Sequence, residues 1–213
     1  MRRIAVIDYG MGNLRSVSKA LETVSKQSSI KITADPQVIQ AASHIVFPGV
    51  GAIRDCMLEL KNLELIEVIT QVAREKPFLG ICLGMQALLS RSEENSGIDT
   101  LNIFPGNVKH FDITTDKMGQ RLKVPHMGWN KVKQTYKHPL WNNIEQDSRF
   151  YFVHSYFASP DSDDVIAGTS DYPDSFAAAL YRDNIFAAQF HPEKSQRSGL
   201  QLLENFVNWD GQS

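Results

Sequence analysis

Cys82 stands in Gly80-Ile81-Cys82-Leu83-Gly84, a sulfur nucleophile framed by two glycines. Pro77-Phe78-Leu79 before it reads as a buried strand, and Met85-Gln86-Ala87-Leu88-Leu89 after it as a helix. A residue at such a strand-to-helix turn is presented for reaction, and small neighbours leave room for backbone and substrate to come close. The positive end of a following helix favours thiolate, the attacking form of cysteine. An inert core cysteine is the competing reading, but packing alone does not ask for glycine on both sides at a strand end.

Such a nucleophile needs a base. Among six histidines, His191 follows the apolar run Ile185-Phe186-Ala187-Ala188-Gln189-Phe190 and precedes Pro192-Glu193. A strand terminus is where catalytic groups are displayed. Proline at 192 pushes residue 191 into an extended conformation, so Glu193 is expected on the same side as His191. A carboxylate there would fix the tautomer and stabilise imidazolium, the work of a third triad member. Other histidines are weaker candidates: His44 precedes a strand, His110 and His138 lie in polar surroundings, and His154 reads as a satisfied core or interface residue. Acyl transfer also needs oxyanion donors. The N–H of Leu83 is the first, and Phe47-Pro48-Gly49-Val50-Gly51 supplies a second loop, with Val50 and Gly51 placed to turn an N–H toward Cys82.

These motifs resemble the class I glutamine amidotransferases, in which a triad cysteine attacks the side-chain amide of glutamine. Asp8-Tyr9-Gly10-Met11-Gly12-Asn13-Leu14-Arg15-Ser16, Val124-Pro125-His126-Met127-Gly128-Trp129-Asn130 and His191-Pro192-Glu193-Lys194-Ser195 narrow the likeness to the glutaminase subunits of imidazole glycerol phosphate synthases. The signatures run from residue 8 to residue 195. One departure is minor: Ile53 and Arg54 stand where an aromatic and a small residue are frequent. The resemblance implies catalytic Cys82, His191 and Glu193, with Gly51 and Gln86 on the glutamine side of the site. It implies no metal or organic cofactor. It also implies a heterodimer with a cyclase subunit, HisF, a barrel that consumes the ammonia, with Asn13, Arg15, Lys123, Trp129 and Lys194 as interface candidates. For Trp129 a place in the core is the competing reading. A related subunit feeding a HisF-like partner in surface-polysaccharide sugar synthesis would carry nearly the same motifs, and a silent binding module on the same sheet is a further alternative. Gly10-Met11-Gly12 follows a strand but lacks the third glycine of a dinucleotide loop. A papain-like protease would carry its cysteine near the N-terminus.

The elements that must position these residues are legible in outline. A strand ending at Asp8, a helix over 14–24, a strand over 30–33, a helix over 36–41, a strand over 44–47 and one helix over 56–75 alternate up to the Cys82 strand. That order predicts an α/β fold, a three-layer, flavodoxin-like, mostly parallel sheet with helices on both faces. After Asn107 come extended segments, 108–111, 121–124, 131–134, 149–156, 176–181 and 185–190, expected as antiparallel additions to the same sheet. Residues 112–120 read as a hairpin tip, 159–164 as a surface loop and 199–209 as a closing helix. A chain of 213 residues is expected to form a single domain, 1–213.

A formal charge of −2, with Lys and Arg dispersed, gives no footprint for nucleic acid. Two cysteines with different surroundings, Cys56 among Met57, Leu58 and Leu60 and Cys82 at its turn, point to a reducing compartment. The chain enters the strand Arg3-Ile4-Ala5-Val6-Ile7-Asp8 at once, so neither secretion nor membrane insertion is expected and the cytoplasm is.

Overall fold

The computed structural model describes residues 1–111 and 123–212. In chain order the elements are β1 (Arg3–Ile7), α1 (Leu14–Val24), β2 (Ser29–Thr33), α2 (Pro36–Ala41), β3 (His44–Gly49), α3 (Ile53–Asn62), α4 (Leu65–Glu75), β4 (Phe78–Cys82), α5 (Leu83–Gln86), β5 (Arg91–Ser92), β6 (Ile98–Asp99), β7 (Gly106–His110), β8 (His126–Lys131), β9 (Lys133–Gln134), β10 (Arg149–His154), β11 (Tyr156–Pro160), β12 (Ile166–Asp171), β13 (Ser175–Arg182), β14 (Ile185–Ala188) and α6 (Gln196–Asn208).

Five parallel strands in the order β2-β1-β3-β4-β14 form the heart of the large sheet. From β14 the sheet continues antiparallel through β13, β11 and β7. Every residue of β3 and β4 is buried, as a strand covered on both faces requires, whereas the edge strand β2 is mostly not. Alternation along β1 feeds two cores: Ile4 and Val6 pack on one face, Ala5 and Ile7 on the other. The first face is closed by Leu21 of α1 and Leu202, Leu203 and Phe206 of α6, the second by Ile39 of α2, Leu60 of α3 and Ile69 and Val72 of α4. The strand order reverses between β1 and β3, and at such a switch the carboxyl ends of the strands open a crevice.

Several expectations are corrected. The segment over 185–190, expected as an antiparallel addition, forms β14 over Ile185–Ala188 and runs parallel to β4. The stretch expected as one helix over 56–75 is two, α3 and α4, broken where Glu64 takes a left-handed conformation (φ 56°). The extended run 149–156 breaks at Ser155: β10 pairs only with β8, in a separate two-stranded sheet, and β11 joins the large one. Residues 112–120 and the first half of 121–124 lie outside the described residues, and the strand that follows begins at His126. Residues 159–160 belong to β11 rather than to a loop.

The β3–β4 register pairs Gly49 with Cys82. Gly84 then lies directly beneath Phe47, where a Cβ would overlap the Phe47 carbonyl oxygen. Backbone cannot retreat as a flexible side chain can, so Gly84→Ala should cost about 3 kcal/mol, the upper end for overpacking. Thermal unfolding should show the midpoint falling by roughly 6–12 °C for a chain of this size; an unchanged midpoint would mean that Gly84 and the Phe47 carbonyl are not in contact.

Candidate active site

Cys82 ends β4 with φ 53° and ψ −108°, a conformation that L-residues rarely adopt. This is the strained turn that the flanking glycines foreshadow. The helix after it differs from expectation. α5 is a single turn, Leu83–Gln86, followed by Leu88 and Leu89 in i+3 hydrogen-bonded turns. So few aligned peptides sum to a small dipole, so the positive charge near Cys82 comes chiefly from a side chain.

That side chain is His191. Its backbone is extended (φ −101°, ψ 96°), and its N–H is held by the Tyr151 carbonyl at 2.9 Å. A tight turn over Pro192–Lys194 brings Glu193 back, and Glu193 Oε1 lies 2.8 Å from His191 Nδ1. The two side chains are only 2% and 0% exposed. A carboxylate can only accept, so Nδ1 carries the proton and Nε2 is left for chemistry. Nε2 has no hydrogen-bond partner. Burial alone would lower the pKa of His191, but the Cys82 thiolate and Glu193 outweigh it and raise the ring from 6.5 to about 10. Cys82 is 6% exposed, and its Sγ has Val153 O at 3.9 Å and Gln189 Nε2 at 3.7 Å.

A cavity of about 320 Å³ opens onto the sulfur and brings together Val50, Gly51, Cys82, Leu83 and Gln86. Gly51 has φ 100°, and Tyr9, fully buried, donates its hydroxyl to Pro48 O at 2.9 Å, tethering this loop. Sequence reasoning missed three residues here. Glu94 lines the cavity while accepting the Ile53 N–H at 2.9 Å, and His154 lines the same wall. Gln189, the third, carried a signal in sequence: it is the lone amide in an apolar strand, two residues before His191. A larger groove of about 700 Å³ around Tyr136, Asp163 and Tyr181 holds neither Cys82 nor His191.

Of the remaining candidates, Trp129 is 42% exposed, so the core reading is overturned. Met127, two residues earlier on the same face of β8, is 66% exposed. Tyr151 meets Trp129 edge-on at 6.1 Å, and Lys194 Nζ lies 5.8 Å over the Tyr151 ring. Arg15 and Lys123 are exposed, Asn13 is half-buried, and α1 packs against the Pro192–Lys194 turn. His138, expected in polar surroundings, is buried against Phe186 and Trp209. Cys56 is fully buried on α3, and burial pushes its thiol up to about 12, which leaves it inert.

Residues 5–209 match the family model Glutamine amidotransferase class-I. The chain belongs to this family. It is 60% identical over 213 residues to the imidazole glycerol phosphate synthase subunit HisH of Nitrosococcus oceani, covering 100% of both chains. To the HisH of Acinetobacter baylyi it is 56% identical over 211 residues, covering 99% of this chain and 100% of that one. The fold is similar to the solved structure of PurLQS from Thermotoga maritima, with TM-score 0.71 and 17% identity over 98% of this chain and 99% of that one.

Because the pKa of His191 is raised in the folded protein, its charge contributes stability in full below about pH 6.5, and that contribution is lost as the pH climbs through about 10. The thiolate is the leading cause of the rise. In Cys82→Ala the ring should therefore titrate well below its wild-type midpoint when followed by NMR of the imidazole nitrogens. Equal midpoints in the two proteins would mean that sulfur and imidazole do not share a charge.

Proposed function

We propose that this chain is the glutaminase subunit of an imidazole glycerol phosphate synthase, one domain over 1–213 that works in the cytoplasm without metal or organic cofactor. The observation that carries the reading is Cys82 lining a cavity of amino-acid size, with the buried His191–Glu193 pair acting on its sulfur from behind the cavity wall, in a chain alike along its whole length to proteins of that name.

In this reading L-glutamine enters with its amide carbon at Cys82 Sγ. Attack forms a C–S bond and moves the carbonyl electron pair onto oxygen, where the N–H groups of Leu83 and of the Val50–Gly51 loop receive it. His191 Nε2 gives its proton to the amide nitrogen, the C–N bond breaks, and ammonia leaves a glutamyl thioester. Water then attacks the thioester, His191 takes its proton, and glutamate departs with the thiolate restored. Glu193 keeps the imidazole in the required tautomer throughout. The Glu94 carboxylate at the cavity wall suits the α-ammonium of glutamine. Gln86, with its NH₂ group committed to Tyr156 O and Gln189 Oε1, has its carbonyl oxygen left for the substrate amide.

Ammonia released into neutral water becomes ammonium and loses its nucleophilicity, so a subunit that only releases it gains from a docked consumer. The consumer is the cyclase subunit HisF, which incorporates the ammonia in making imidazole glycerol phosphate and AICAR. Its docking face is the exposed Met127–Trp129 side of β8 with Lys194, bordered by Asn13, Arg15 and Lys123.

Glutamate release from L-glutamine, measured for the chain alone and then with HisF and its ribonucleotide substrate, should rise strongly in the complex; release that HisF cannot stimulate would point to another ammonia acceptor. Cys82→Ala should abolish release, and turnover above background would refute the nucleophile. Trp129→Ala should weaken HisF binding by about 2 kcal/mol, roughly 30-fold in Kd by calorimetry. An unchanged Kd would place the interface elsewhere.

A further inference from the structure

Between the nucleophile and β11 lie two buried amides whose orientation is not arbitrary. Gln189 is fully buried; its Nε2 is 3.7 Å from Cys82 Sγ, and its Oε1 accepts from Gln86 Nε2 at 3.0 Å. Gln86 Nε2 also donates to the Tyr156 carbonyl at 2.8 Å. That carbonyl receives His154 Nδ1 at 2.8 Å as well. Behind it, His154 Nε2 lies 2.9 Å from His126 Nδ1, and His126 Nε2 faces Asn130 Nδ2 at 3.3 Å.

The two ends of an amide are told apart only by what they bond. Here the chain of partners leaves one solution. A backbone carbonyl only accepts, so Gln86 must turn its NH₂ to Tyr156. That NH₂ also faces Gln189, which must answer with its oxygen. The NH₂ of Gln189 therefore points at the sulfur. The imidazoles obey the same logic. His154 must carry its proton on Nδ1 to reach Tyr156, so its Nε2 accepts from His126 Nδ1, and His126 Nε2 accepts from Asn130. Each ring needs one acceptor nitrogen and stays neutral, and burial lowers the pKa of His126 to about 4 and of His154 to about 3, in keeping with that. Turning Gln189 over would set oxygen lone pairs against sulfur and NH₂ against NH₂, two repulsions in a buried site.

We infer that Gln189 is a thiolate-holding residue, donating an N–H to Cys82 Sγ in a direction dictated by the Tyr156 carbonyl through Gln86. The inference rests on Cys82 being the nucleophile of the proposed glutaminase. A charge-assisted donor favours thiolate over thiol, and it releases its hold when the sulfur is acylated, because a thioester sulfur is a poor acceptor. Gln86 acts on the sulfur as a positioning residue, while the His126–His154 pair secures the carbonyl from which the orientation starts.

Alkylation of Cys82 by iodoacetamide at fixed neutral pH, followed by peptide mass spectrometry, reads the thiolate without requiring turnover. Gln189→Leu keeps the bulk and removes the donor, and should slow alkylation about tenfold or more, with Cys56 unmodified. Loss of packing alone would act in the opposite direction, exposing both thiols and speeding their reaction. Gln189→Glu still accepts from Gln86 but cannot donate as a carboxylate, so it should also react slowly, which covers the case in which the leucine variant does not fold. Gln86→Leu should slow alkylation less, and the double variant with Gln189→Leu should react no more slowly than Gln189→Leu alone. Alkylation as fast as wild type in either Gln189 variant, or additive losses in the double variant, would overturn the inference. Slow alkylation in these variants of a chain that releases no glutamate would leave the thiolate contact standing and remove the glutaminase reading.

Discussion

The arrangement depends on one backbone constraint, the left-handed turn at Cys82. Such a conformation costs about 1–3 kcal/mol and persists only where its surroundings enforce it. Here the enforcement comes from the next strand: the Gly49–Cys82 register and the close approach of Gly84 to the Phe47 carbonyl leave the chain no alternative path. The same contact sets the Pro48–Gly51 loop beside the sulfur, so one tight passage of backbone brings Cys82, Leu83, Val50 and Gly51 to the same cavity. Tyr9 completes it from β1 by holding Pro48 O.

Electrostatics then fill the turn. A charge buried alone would neutralise, but a buried imidazolium between thiolate and carboxylate is compensated on two sides. Removing either anion leaves the ring, itself 2% exposed, with one partner. Orientation is built in the same economical way, from groups that can act in only one sense: a carboxylate at Nδ1 of His191 and a carbonyl at the start of the Gln86–Gln189 chain. The break at Ser155 belongs to this design. It lets His154 end the small sheet with His126 and Tyr156 open the large one, so both reach the cavity wall.

Much of this was legible in sequence because it is local. Glycine spacing around Cys82 and the His191-Pro192-Glu193 triplet encode a turn and a pairing within a few residues. Short apolar runs set between helical segments placed the parallel strands for the same reason. What escaped depends on distant partners. Glu94 reaches the site because its loop folds back onto the start of α3, and nothing near Glu93-Glu94 distinguishes it from a solvated acidic pair. The His126–His154 bond requires the β8–β10 pairing. The polar neighbours of His138 conceal its aromatic surroundings, which come from β14 and the end of α6. The apolar periodicity of 56–75 continues across the α3–α4 break, so only the left-handed residue at Glu64 marks it.

The central claim is that glutamine is cleaved through a covalent bond to Cys82, and the most direct measurement is acid quench of the protein, with HisF present, during turnover of L-glutamine, followed by peptide mass spectrometry. The account predicts a glutamyl thioester on the peptide carrying Cys82 and an unmodified Cys56. Sustained glutamate release with no acyl group on Cys82, under conditions that preserve thioesters, would contradict it.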